Sequence, residues 1–219
     1  MLIWGKAALE IGDTTVAIIF MSNTTHLTNF AGDQKAWPIY MMIGNIVSSA
    51  RMANALPSGA LYALLPIAMK VTGTNAEKTA QRTMNQSIMQ EVLRHVLQPL
   101  THPERRVFNS MCADHRFRHC VAIPAGWMAD YPEHVQLANI KSGSCYWCEC
   151  PAENMGDLPF RSERRATWDH NVYCALNSAN TWPAMAELAS RGVHLRYNVL
   201  WELDCITSDL YKPDLLHTM

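Results

Sequence analysis

Three groupings of side chains have the residue types and spacing from which chemistry is built. In Cys145-Tyr146-Trp147-Cys148, two intervening residues let both thiolates reach one Zn²⁺, and Cys150 is close enough to replace either. One pair is half of a tetrahedral site. His170, Cys174, Cys205 and His217 are the candidates for the remainder, and none stands at a second ligand spacing. On spacing alone, a zinc ligand pair and two buried cysteines in a turn are equally good readings. A thioredoxin-like redox pair is not favoured, because Ser142-Gly143-Ser144 and Pro151 flank the pair where a strand and a helix start would be needed. The second grouping is Asp130 in Ala129-Asp130-Tyr131-Pro132-Glu133. It is either a carboxylate at the carboxyl edge of a sheet, where α/β proteins place their chemistry, or the capping residue of a helix that begins near Pro132. The third, Asp114-His115, offers an acid and a base, but adjacent side chains diverge on a strand, so a surface loop is the better reading. The sequence contains no Gly-rich phosphate loop, Gly-x-Ser-x-Gly elbow or His-Glu-x-x-His, and no organic cofactor is expected.

These residues must be held by elements that the apolar pattern outlines. Residues 14–21 form a continuous apolar run rich in β-branched side chains and end in Ser22-Asn23-Thr24-Thr25, which predicts a strand buried on both faces with a polar loop at its carboxyl end. A second strand is expected over 37–43. Segment 61–69, interrupted by Pro66, reads as strand or helix. The clearest helix spans about 75–98: Met84, Ile88, Val92 and Val96 form one i, i+4 row and Met89, Leu93 and Leu97 another, with Asn75 as cap and Pro99 as stop. Residues 120–128 predict another buried strand that delivers Asp130, with Pro124 and Gly126 suggesting a bulge or an edge. From 143 to 179 the chain turns Cys-, Pro- and Arg-rich and loses periodicity, as an insertion would. A short helix at 182–190 stops at Gly192. Strand, strand, helix, strand, helix is the order of a mixed α/β layer fold.

Composition sets the outer bounds. The chain has 219 residues, 18 Lys+Arg against 19 Asp+Glu, 49% hydrophobic and 17% charged residues, the last below the ~25% usual for a soluble domain. A net charge of −1 argues against gripping nucleic acid by bulk charge. The short basic clusters 105–106, 116–118 and 161–165 read as solvated. Seven cysteines, with no signal segment, imply reduced thiols in the nucleus or cytoplasm and no secretion. No apolar run reaches the ~18 residues of a membrane span.

Five blocks in order say more than any spacing. The run Ser22-Asn23-Thr24-Thr25-His26-Leu27-Thr28-x-Phe30-x-Gly32-Asp33-Gln34-Lys35-Ala36-Trp37-Pro38-Ile39-Tyr40-Met41-x-Ile43-Gly44-Asn45-Ile46 resembles the "SDKTxLTxFxGDKxAYPVYLTIGNI" block of fungal Plavaka-type transposases, relatives of the CACTA transposases. Cys112-Ala113-Asp114-x-x-x-Arg118-x-Cys120 and Ala129-Asp130-Tyr131-Pro132-Glu133-His134-Val135 are similar to that family's "CADGxxRRxxP…ADYPEQV". Cys145-x-x-Cys148 resembles its "CPKC", and Pro213-Asp214-Leu215-Leu216-His217 its "PDLLHQLxKG".

The resemblance implies an RNase H-like mixed sheet flanked by helices, with a partial core over 1–142 and a Cys-containing insertion and C-terminal segment over 143–219. It implies DDE-type chemistry, in which Mg²⁺ or Mn²⁺ held by carboxylates cleaves and transfers DNA strands. Carried over, the family's first catalytic Asp falls at Asn23 and its second at Asp130. Asn23 is a neutral amide, so the site loses a charge. The third acid would lie beyond His217, which makes the chain an incomplete, truncated copy. The expectation is therefore a catalytically inactive remnant of a transposase core. The competing class is a non-catalytic, zinc-stapled module binding DNA or protein. The resemblance also nominates Cys145, Cys148 and His217 for structural zinc, with DNA and another transposase copy as partners and no membrane.

Overall fold

The computed structural model describes residues 12–28, 34–51, 59–68, 71–112, 114–150, 152–155, 165, 186, 189–190, 192–194, 196–203, 205 and 207–213. The chain is mixed α/β and divides into two units, Met1–Trp127 and Met128–Met219.

The first unit is built on a sheet. Its strands are β1 (Thr14–Ser22), β2 (Thr25–His26), β3 (Lys35–Ile43), β4 (Gly59–Leu65), β5 (Val107–Met111) and β6 (Phe117–Ala129), whose last two residues run on past the unit. Its helices are the single turn α1 (Ser48–Arg51) and the long α2 (Asn75–Thr101). The path across the sheet is β2-β3-β1-β6-β5, with β4 on β3. β3 runs antiparallel to β1, from Ile18↔Ile43 to Ser22↔Ile39, and to β4. β5 and β6 form an antiparallel hairpin. Side-chain bonds at both ends fix the direction of the β1–β6 pair. His119 Nδ1 meets Asp13 Oδ1 at 2.6 Å beside the two starts, and Trp127 Nε1–H donates to Ser22 Oγ at 2.7 Å beside the two ends. The neighbours therefore run parallel and the sheet is mixed, an arrangement compatible with an RNase H-like core.

The apolar runs become strands, but β1, expected to be buried on both faces, is buried on one and half-buried or exposed on the other. Ile18, Phe20 and Ser22 on β1, and Trp37 and Ile39 on β3, are buried at period two. Residues 120–124 of β6 are buried without alternation, as in a strand covered on both faces. β6 is internal rather than an edge. Its Pro124 is accommodated because the β5 ladder ends at Val121, three residues earlier. Of the 61–69 segment, which read as strand or helix, residues 61–65 are strand, in β4, and 66–68 are irregular. The β4 register slips between Ile39↔Ala63 and Tyr40↔Leu61, so Tyr62 is the extra residue of a bulge. The Tyr62 hydroxyl donates to the Val96 carbonyl at 2.8 Å and its ring lies 5.6 Å from Phe20, which ties α2 to the sheet.

Two details of α2 correct the sequence reading. Thr74, not Asn75, is the cap: its Oγ1 accepts from Glu77 N–H while Glu77 Oε2 accepts from Thr74 N–H at 2.7 Å, a complete capping box. Pro99 does not stop the helix, which continues to Thr101. A proline in the last turn removes one amide bond, and buried Leu97 and Leu100 hold that turn against the core. Of the two apolar rows only Met89, Leu93 and Leu97 face inward; Met84 and Ile88 are exposed.

The second unit contains α3 (Tyr131–Leu137), two 3-10 turns (Ala152–Asn154 and Val199–Leu203), α4 (Thr207–Leu210) and β7 (Tyr211–Pro213). Asn198 Nδ2–H donates to the Leu137 carbonyl at 2.9 Å, Asn139 Nδ2–H donates to the Tyr197 carbonyl at 3.0 Å, and Ile140 bridges to Val193. These bonds fasten the end of α3 to the later chain, where Val199, Leu200 and Leu203 are fully buried. Of the expected 182–190 helix, residues 186, 189 and 190 are described and helical. Gly192 follows at φ +75°, the conformation of a helix stop.

Candidate functional site

β1 ends at Ser22, so the next residue, Asn23, leaves the sheet at its carboxyl edge, and its side chain is exposed. The Trp127–Ser22 bond, with the Trp127 ring 5.0 Å from Phe20, fixes the strand end immediately before it. The side chain at position 23 is an amide, which offers one neutral oxygen where a carboxylate would offer two charged ones.

β6 ends at Ala129 and Asp130 follows. Asp130 is the N-cap of α3, with Oδ1 accepting from Glu133 N–H at 2.9 Å and Pro132 in the first turn. The capping reading of the sequence therefore holds. A carboxylate has about four acceptor positions, so capping through Oδ1 leaves Oδ2 with room for a further donor or cation. Hard divalent cations prefer charged oxygen ligands; position 23 offers a neutral amide oxygen, and Asp130 keeps one carboxylate oxygen beyond its cap bond.

Asp114 and His115 sit in the β5–β6 turn. Both carboxylate oxygens of Asp114 accept from the Arg118 guanidinium, at 2.7 and 2.6 Å, and this pairing holds the Asp114 pKa at about 2. His115 takes φ 60° at the tip. The pair locks a hairpin and is not an acid/base couple.

In the Cys turn, Trp147 N–H donates to Cys145 Sγ at 3.4 Å. Cys148 is buried; burial pushes its thiol pKa up to about 11, with Cys145 and Cys150 both close enough to act on it. A raised pKa keeps the Cys148 thiol protonated at neutral pH, and the turn sets its sulfur beside that of Cys145, which accepts from the Trp147 amide. Among the described residues, no group of three or more His, Cys, Asp or Glu is placed to hold a metal ion. His170, Cys174 and His217 lie outside the described residues, and Cys205 is half-buried.

The sequence reading missed two kinds of residue. Arg165, expected to be solvated, is 5% exposed; its Nε donates to the Cys145 carbonyl at 2.7 Å and its amide to the Trp147 carbonyl at 3.1 Å. Arg106 is likewise buried. His134 is fully buried against the Tyr146 and Tyr211 rings, with Nε2–H donating to the Lys212 carbonyl at 2.9 Å. No described helix is long and apolar enough to cross a membrane.

The model of the Plavaka transposase family matches residues 2–219, and the chain belongs to that family. No curated protein and no solved structure matches it.

Proposed function

We propose that this member of the Plavaka transposase family is derived from the catalytic core of a DDE-type DNA transposase and no longer cleaves DNA. The observation that carries the proposal is Asn23, a neutral residue directly after β1 at the position where the resemblance puts the family's first catalytic Asp. Two-metal strand cleavage needs carboxylates that neutralise and bridge the ions, and an amide does neither. Asp130 remains as the second acid and has a structural task as the α3 cap. We place the parent element in a fungal genome and its protein in the nucleus, with DNA and a second transposase copy as partners.

The purified chain is expected to give no nicking of supercoiled plasmid above buffer in Mg²⁺ or Mn²⁺. Vigorous nicking that vanishes in Asp130→Ala would overturn the claim of inactivity. Asn23→Asp is expected to create a Mn²⁺-dependent rise in melting temperature absent from the native sequence; equal rises in both would refute the assignment of position 23.

A second reading, a zinc-stapled DNA- or protein-binding module, is favoured by the amide bond to Cys145 Sγ and by the adjacent Cys148. Cys145 and Cys148 would hold the ion, with His217 proposed as a further ligand, and zinc would supply a structural cross-link. Metal analysis should find about one zinc per chain, lost in Cys145→Ser/Cys148→Ser. A metal-free native chain would eliminate this reading.

A further inference from the structure

The second unit contains a cavity of about 20 Å³, room for one oxygen-sized group. Asn139, Tyr146, Arg165, His194, Thr207 and Ser208 contribute to its wall. Ser208 is 1% exposed and its Oγ has no hydrogen-bond partner. A buried hydroxyl left in that state costs about 1–3 kcal/mol, so the cavity is built to receive something that hydrogen-bonds. Arg165 brings a buried guanidinium to the same wall, held in place by its bond to the Cys145 carbonyl. No Asp or Glu is among the described residues of the lining. Two further cations lie near this wall: Arg196 and Lys141 are close enough to act on His194, whose pKa is lowered first by burial and then by their charges.

An O–H donor and a fixed guanidinium in a partly dehydrated cavity select an anionic oxygen over a neutral one, because charge-assisted hydrogen bonds are about twice as strong. Arg is also the side chain whose planar fork matches tetrahedral oxyanions. The volume admits a single oxygen, which leaves the rest of the group at the mouth. We infer that this cavity takes one oxygen of a phosphate group, either free inorganic phosphate or a nucleic-acid backbone phosphate, using Ser208 Oγ–H and the Arg165 guanidinium as donors. The nucleic-acid source rests on the transposase reading; the site itself does not.

The full chain is titrated with sodium phosphate by calorimetry and melted in parallel with sodium chloride at matched ionic strength. The expected result is saturable binding and a phosphate-specific rise in melting temperature, with affinity about tenfold weaker in Ser208→Ala and lost in Arg165→Gln. Ser208→Ala removes one unpartnered oxygen, so in chloride it should melt no lower than the native chain, which keeps the test valid even if Arg165→Gln fails to fold. No phosphate-specific effect in the native chain would mean that an ordered water fills the cavity, and would overturn the inference. So would phosphate binding unchanged by Ser208→Ala. A short duplex oligonucleotide that competes with phosphate identifies the backbone as the source, and one that leaves phosphate binding intact identifies free phosphate. Nicking enters none of these readouts, so failure here and failure of the catalytic reading are separable.

Discussion

Trp127→Ala is expected to destabilise the first unit by about 3–5 kcal/mol, the range for removing a large buried aromatic, a substantial part of a typical domain's stability. The side chain is fully buried, packs against Phe20 with ring centroids 5.0 Å apart and planes tilted by 39°, and donates its indole N–H to Ser22 at 2.7 Å. Truncation removes the packing and also leaves Ser22, 5% exposed, without this donor. Trp127→Phe separates the two effects: the ring volume largely stays, and the lost hydrogen bond should cost about 1 kcal/mol. Urea denaturation followed by near-ultraviolet circular dichroism measures both, with the slope checked for constancy so that the midpoint shift reports stability. A loss below about 1 kcal/mol for the alanine variant would show that the carboxyl ends of β1 and β6 are not packed together as described. The result bears on function because Asn23 is the residue after Ser22. Whatever holds Ser22 sets where the side chain at position 23 starts.

Much of this frame was legible in the sequence because it is written locally. A buried strand needs only a continuous apolar run, and β1, β3 and β6 each contain one. The Asp130 cap is local too, three residues from the amide it accepts. What could not be seen depends on distant partners. Tyr62 reaches α2 only because a bulge turns it there, and its acceptor is 34 residues away. Arg165 reads as one more solvated arginine until the Cys145 carbonyl, 20 residues upstream, is found to hold it. The parallel pairing of β1 with β6 shows in Ser22 and Trp127, separated by 105 residues. The candidate site is divided in the same way. Asn23 and Asp130 were found from the motif blocks, whereas the Ser208 cavity draws on residues scattered between 138 and 211 and has no motif.

Below about pH 6.5, the unperturbed histidine value, the second unit should lose stability as acid is added, with His134 the principal cause. Its ring is fully buried, and because the Lys212 carbonyl can only accept, the proton of the neutral ring resides on Nε2. Nδ1 has no hydrogen-bond partner, so a second proton would enter a buried position with nothing to receive it. Burial lowers the His134 pKa; the Lys212 bond and the negative charge of Asp130 act in the opposite direction and do not offset it. The His194 pKa is lowered as well, first by burial and then by Arg196 and Lys141, though its partial exposure discounts its share. For a group whose pKa is depressed on folding, the unfolded chain binds more protons. The stability it contributes is full above the unfolded value and is lost as pH falls toward and through the native value. Each such proton contributes a slope of at most about 1.4 kcal/mol per pH unit. His134→Gln keeps an N–H donor for the Lys212 carbonyl and cannot be charged, and glutamine is the residue of the family block at this place. Melting temperatures of the native chain and His134→Gln, measured between about pH 8 and pH 5, should converge at the acid end, with the variant losing less. Parallel curves would mean that His134 is protonated as readily in the folded chain as in the unfolded one.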